Sequence, residues 1–130
     1  MGKGRKGEKI MSYFLDTYAI IEIIKGNQNY KKFTSEKIYT SIFNLYELYY
    51  CLLKDYSELI ALKNFEQFKN IIISIKEENI FEASKFKLNH KKQRLSYIDA
   101  LGYTIAIQNN LKFLTGDKEF ENLKNVEFVK

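Results

Sequence analysis

Four carboxylates in this chain stand where acids could do chemistry rather than merely solvate a surface: Asp16, Glu47, Asp99 and Asp117. Asp16 directly follows the short apolar run SYFL at 12–15, and Asp117 follows KFLT at 112–115 after one glycine. Glu47 has Phe43, Asn44, Tyr50 and Cys51 three and four residues away, not the charged neighbours of a salt-bridged helix exterior. Asp99 lies in SYIDAL at 96–101 and shares a helical face with Gly102, Tyr103 and Ala106, whose glycine and alanine would leave room beside its carboxylate. If such acids converge, unit charges near 4 Å apart repel by about 4 kcal/mol at an effective dielectric of 20. A bound cation removes that cost. Oxygen donors without histidine or thiolate match Mg²⁺ or Mn²⁺ better than zinc, and such ions activate water and stabilise the charge of a phosphodiester under in-line attack.

For these residues to meet, the chain must place them at one rim, and its periodicity supplies the means. Ser12 to Leu15 reads as a strand, followed by Tyr18, Ile20, Ile21 and Ile24 at helical spacing up to Gly26. Lys37 to Thr40 reads as a second strand, with Ser41 as N-cap of a helix carrying Leu45, Leu48, Tyr49 and Leu52 on one face. Another helix opens at Ser57 or Glu58, and the β-branched run IIISI at 71–75 predicts a buried, near-central strand. Helices over 77–93 and 96–110, then strands over 112–115 and 126–129, complete the pattern. This alternation predicts an α/β fold: a mainly parallel sheet of four to five strands covered by helices on both faces. Functional groups then gather beyond the carboxyl ends of the strands.

Each acid also has a plainer reading. Asp16 could N-cap the helix at Thr17, Ser96 with Asp99 could form a capping box with Asp in place of Glu, and Asp117 could cap a short helix through Phe120. Glu47 could be a partly exposed helix residue. Capping and chemistry are compatible, because helix N-termini also lie at that rim.

The 130 residues and 45% hydrophobic content suit one domain, and the net charge of +5 favours an anionic partner, nucleic acid foremost. Residues 1–10, MGKGRKGEKI, are expected to be a disordered basic arm, with Met11 a candidate natural start and residues 11–130 a single domain. Cys51 is the only cysteine, which excludes an intrachain disulfide, and no apolar run suffices to cross a membrane, so a cytoplasmic protein is expected. No G-x-G-x-x-G or G-x-x-x-x-G-K-[ST] is present to support a dinucleotide site or a P-loop. A dehalogenase-like phosphatase would want an acid where Tyr18 stands, and a receiver domain would leave Glu47 and Asp117 unexplained.

Together, LDT at 15–17, TS at 40–41 with NLYEL at 44–48, SYIDAL at 96–101 and LTGDKEF at 114–120 resemble the PIN-domain ribonucleases, specifically the VapC-like toxins of toxin-antitoxin pairs. The resemblance spans nearly the whole chain from Met11. It implies a three-layer α/β/α PIN-like fold and an Mg²⁺- or Mn²⁺-dependent endoribonuclease, with Asp16, Glu47, Asp99 and Asp117 as catalytic metal ligands. Thr115 or Ser41 would orient a water or a carboxylate, Asn44 fits the polar position three before the glutamate, and Glu119 matches a peripheral second acid. It further implies an RNA substrate, a cognate antitoxin and a homodimer. A housekeeping RNA-processing nuclease and a noncatalytic PIN-fold binding module are the alternatives. The chain departs from the family by lacking a glycine in KKQRLS at 91–96 and by carrying Cys51 where relatives often have glycine. The basic stretch KFKLNHKKQR at 85–94 could hold RNA phosphates or be a solvated helix end. His90 is read as an exposed residue, and Tyr46, Tyr49 and Tyr50 as core packing.

Overall fold

The computed structural model describes residues 11–130; the arm expected over 1–10 lies outside the described residues. Strand β1 (Ser12–Leu15) leads into helix α1 (Thr17–Ile24), a 3-10 segment over Gln28–Ser35, strand β2 (Lys37–Tyr39) and helix α2 (Ile42–Asp55). Helices α3 (Glu58–Phe68), α4 (Glu77–Asn89) and α5 (Tyr97–Gln108) follow, then strands β3 (Lys112–Thr115) and β4 (Val126–Phe128). All strand pairs are parallel, in the order β2-β1-β3-β4.

The central strands read as continuous apolar runs because both of their faces are covered. Tyr13 and Leu15 face α1, α2 and α3 with Ile20, Tyr30, Leu45 and Leu48, whereas Phe14 faces the opposite layer with Leu95, Tyr103, Ile105, Phe113 and Phe120. Phe14 stacks on Phe113 at 5.9 Å between ring centroids. Full burial of side chains such as Phe14 and Leu15 contributes roughly 1.5–3 kcal/mol each. The three-layer α/β/α arrangement matches the expectation.

Two expectations change. The run at 71–75 is no central strand: α3 continues into a 3-10 turn over Lys69–Ile71, and only Ile72 makes a single parallel bridge to Thr40, at the edge beside β2. The bridge rests on Thr40 N–H donating to the Ile71 carbonyl and Ile73 N–H to the Thr40 carbonyl. β-Branched residues marked a half-buried extended segment, but the central positions belong to β1 and β3. Secondly, Tyr46 and Tyr50 are 69% and 60% exposed. The buried stripe of α2 runs through Leu45, Leu48 and Leu52, so those tyrosines fall on its outer side, while Tyr49 packs edge-on against Phe65. No helix among the described residues is long and apolar enough to cross a membrane.

The parallel strands deliver their carboxyl ends to one edge, so Asp16 after β1, Ser41 after β2 and Gly116-Asp117 after β3 emerge on the same side.

Candidate active site

Asp16 is the most enclosed acid, 5% exposed. It N-caps α1, Oδ1 accepting from Ala19 N–H at 2.8 Å, and Oδ2 accepts from the Thr115 hydroxyl at 2.5 Å. Burial pushes its carboxyl up to about 7; the two hydrogen bonds oppose this, and the charges of Asp99 and Asp117 add to it. The cap is therefore real, and it coexists with a carboxylate held in the field of two others.

Thr115 joins neighbouring parts of the rim. Its hydroxyl oxygen accepts from Asp117 N–H at 3.0 Å, and Asp117 Oδ1 in turn accepts from Glu119 N–H at 3.0 Å, capping the 3-10 turn over Lys118–Phe120. Glu119 is exposed and enters this network through its backbone. The intervening Gly116 has no room for a side chain: a Cβ there would lie 2.2 Å from the Tyr18 ring and 2.5 Å from the Val129 carbonyl oxygen.

Asp99 and Ser96 form a reciprocal capping box. Asp99 Oδ2 accepts from Ser96 N–H at 2.9 Å, and Ser96 Oγ accepts from Asp99 N–H at 3.0 Å. Burial raises the Asp99 carboxyl, the Ser96 bonds lower it, and the charges of Asp117 and Glu47 raise it further. Gly102 does not open space beside this carboxylate as expected. Its Cβ would sit 2.9 Å from Phe14, so the glycine lets α5 approach β1. Just upstream, Arg94 adopts φ 54, the left-handed region that glycine favours, where the sequence lacks the family's glycine.

Glu47, half-buried on α2, accepts at Oε1 from the Thr17 hydroxyl at 2.5 Å. Asn44 Nδ2 donates to Thr17 Oγ1 at 3.2 Å, and the Ser41 hydroxyl donates to Asn44 Oδ1 at 2.6 Å. Ser41 also N-caps α2, accepting from Asn44 N–H. Ser41 and Asn44 thus stand beside Glu47 as polar supports. Thr17 was missed by sequence reasoning, although it completes the LDT run directly after Asp16; a hydroxyl at that junction was the available signal.

The four acids share one electrostatic field, yet among the described residues no three acidic, histidine or cysteine side chains stand close enough to form a ready cation cage. The two findings are compatible, because charge is felt across several ångströms whereas ligation requires contact near 2 Å. Asp16, Asp99 and Asp117 are turned toward their caps. Among the described residues, no lysine or arginine forms an ion pair with any of the four. An all-oxygen donor set that includes a buried carboxylate fits the chemistry of a hard divalent ion.

Of the basic stretch, Lys85 pairs with Glu82 at 3.2 Å, and Lys87 Nζ donates to the Leu95 carbonyl at 2.9 Å. Lys91, Lys92 and Arg94 are exposed just before the Asp99 helix. His90 is half-buried against Phe86, its Nδ1 2.8 Å from that residue's carbonyl oxygen, and so closes α4 instead of facing the rim.

The model of one family, described as PIN domain, matches residues 13–126. No curated protein matches. Among solved structures, VapBC2 from Rickettsia felis bound to a DNA fragment from their promoter is similar at TM-score 0.72 and 21% identity, covering 92% of this chain and 98% of that one. A toxin-antitoxin complex from Klebsiella pneumoniae gives TM-score 0.70 and 19% identity, covering 88% and 95%. Mycobacterium tuberculosis VapC20, described as a sarcin-ricin loop cleaving toxin, gives 0.70 and 13%, covering 84% and 91%. At these identities the likeness is one of fold.

Proposed function

The chain belongs to the PIN domain family, and from that premise we propose that it is a metal-dependent endoribonuclease, the toxin of a VapBC-type pair. The observation that carries this reading is the buried Asp16 carboxyl at the carboxyl edge of a parallel sheet, tied through Thr115 to the turn that bears Asp117 and within the field of Asp99 and Asp117. Such an arrangement is unfavourable without a cation, and a basic chain of net charge +5 suits a phosphodiester substrate.

In this reading Asp16, Glu47, Asp99 and Asp117 hold Mg²⁺ or Mn²⁺. When bound, the ion supplies Lewis acidity toward a phosphoryl oxygen and an activated water. The chain's own groups do the rest. Thr115 fixes Asp16 Oδ2, the Ser96 box holds Asp99 by its Oδ2 at the start of α5, and the Ser41–Asn44 pair secures the start of α2 beneath Glu47. A cation held there would favour the ionised form of Asp16, which burial disfavours. The exposed Lys91, Lys92 and Arg94 hold flanking RNA phosphates.

The antitoxin is proposed to cover the apolar groove between α2 and α3 lined by Ile42, Tyr46, Tyr49, Leu62 and Phe65. A homodimer and a cytoplasmic location, the compartment that suits the lone thiol Cys51, belong to the same reading.

The test is cleavage of a fluorogenic single-stranded RNA by wild type and Asp16→Asn, each with Mn²⁺ and with EDTA. Cutting by wild type with Mn²⁺ alone is the expected result. Equal cutting by both proteins, or no cutting of any RNA by a wild type that binds no divalent ion, would end the nuclease reading.

A further inference from the structure

Asp16 and Thr17 are adjacent, yet they serve different carboxylates. Asp16 offers its own, whereas the Thr17 hydroxyl reaches Glu47, thirty residues away on α2. A hydroxyl has one proton to give. At Thr17 the acceptors are Glu47 Oε1 at 2.5 Å and the Asn44 carbonyl at 3.4 Å. The short bond to a charged acceptor takes that proton.

The bonds behind Thr17 have one polarity. The Ser41 hydroxyl donates to Asn44 Oδ1 at 2.6 Å, which fixes the amide so that its Nδ2 faces Thr17 Oγ1 at 3.2 Å. The side-chain donors of Ser41, Asn44 and Thr17 thus run in one direction, toward Glu47. Ser41 is 1% exposed and Asn44 2%, so water does not substitute for these partners. Helix α1 has no need of the Thr17 hydroxyl, because Asp16 supplies its cap. A glutamate in mid-helix otherwise rotates about three side-chain torsions, an entropy that must be surrendered before it can ligate.

We propose that Thr17 is a positioning residue for the divalent-ion site, holding Glu47 Oε1 through its hydroxyl so that the other carboxylate oxygen faces the rim. The inference rests on the nuclease reading above and adds a residue to it. It places two of the four acids under the control of one dipeptide, Asp16-Thr17.

The experiment is Mn²⁺ titration followed by electron paramagnetic resonance of the free ion, with folding checked by circular dichroism, for wild type, Thr17→Val, Thr17→Ser and Asp16→Asn. Loss of an outer partner of a metal ligand weakens affinity by about 10- to 100-fold, and that loss is expected for Thr17→Val, with Thr17→Ser restoring it. Wild-type affinity in a folded Thr17→Val protein, or no rescue by serine, overturns the proposal. Should Thr17→Val fail to fold, the wild-type hydroxyl proton of Thr17 decides by NMR: protection from solvent exchange supports the bond to Glu47, and rapid exchange with water overturns it. If Asp16→Asn loses Mn²⁺ while Thr17→Val keeps it, only this inference fails. If Asp16→Asn also binds as wild type does, the nuclease reading fails with it.

Discussion

Thr115 and Asp16, ninety-nine residues apart, meet at the ends of adjacent parallel strands, the threonine hydroxyl donating to Asp16 Oδ2 at 2.5 Å. Thr115 Oγ1 in turn accepts the Asp117 N–H, so one side chain ties two of the four acids to β3. Thr115→Val keeps the volume and removes both bonds. Burial already holds the Asp16 carboxyl high, and losing its hydroxyl donor raises it further. The expected outcome is Mn²⁺ affinity lowered about 10- to 100-fold, with binding displaced to higher pH, read by titration across pH. Thr115→Ser should behave as wild type.

The raised carboxyl of Asp16 also sets the pH dependence of the metal-free fold. Its native value is about 7, against about 3.9 in an unfolded chain. Between those values the folded state keeps a proton that the unfolded state has lost, so Asp16's contribution to stability is complete below about pH 4 and disappears as pH rises through 7. Thermal unfolding in EDTA should therefore show a melting temperature lower at pH 8 than at pH 5.5. Asp16→Asn should flatten that slope and melt higher than wild type at pH 8.

Because the ion favours the same ionised form, adding Mn²⁺ at pH 8 should reverse the loss. Saturation at one hundred times the dissociation constant stabilises by about 2.7 kcal/mol. That gain should appear as a rise in melting temperature for wild type and be absent from Asp16→Asn.

Gly116 should tolerate no side chain. Alanine would drive its Cβ into the Tyr18 ring and the Val129 carbonyl, displacing the turn that carries Asp117. Overpacking of this kind costs about 1–3 kcal/mol. A lowered melting temperature together with weaker Mn²⁺ binding is expected, measured on the same Gly116→Ala sample.

Lys91, Lys92 and Arg94 should contribute charge without reading sequence. Single-stranded nucleic acid binding loses about 0.7 in its log–log salt slope per phosphate contact removed. Anisotropy titration of a labelled RNA in EDTA at several salt concentrations should give the triple alanine variant a shallower slope by about 2, with its fold intact because these side chains are exposed.

The layers were legible because β1 and β3 carry apolar runs on both faces, and because Ser41, Ser57 and Ser96 announce their helices as caps. The segment at 71–75 misled, since β-branched composition reports an extended, half-buried chain without saying which strand it lies beside. The exposure of Tyr46 and Tyr50 was hidden by the aromatic density of α2, where only the leucine stripe marks the core. At the rim, the placement of the acids after their strands could be read directly. So could the local caps made by Asp16, Asp99 and Asp117, which follow from spacing of two or three residues. The reach of Thr17 to Glu47 depends on a contact across elements, which spacing along one chain does not encode.

All of this converges on one claim, that Asp16, Glu47, Asp99 and Asp117 share a divalent ion. Anomalous diffraction from Mn²⁺-soaked crystals tests it most directly. One strong peak is predicted at the carboxyl edge of β1 and β3, with carboxylate oxygens of Asp16 and at least one of Asp99 and Asp117 within about 2.0–2.3 Å. No peak at that edge at saturating Mn²⁺, with Asp16, Asp99 and Asp117 still turned to their caps, would contradict it.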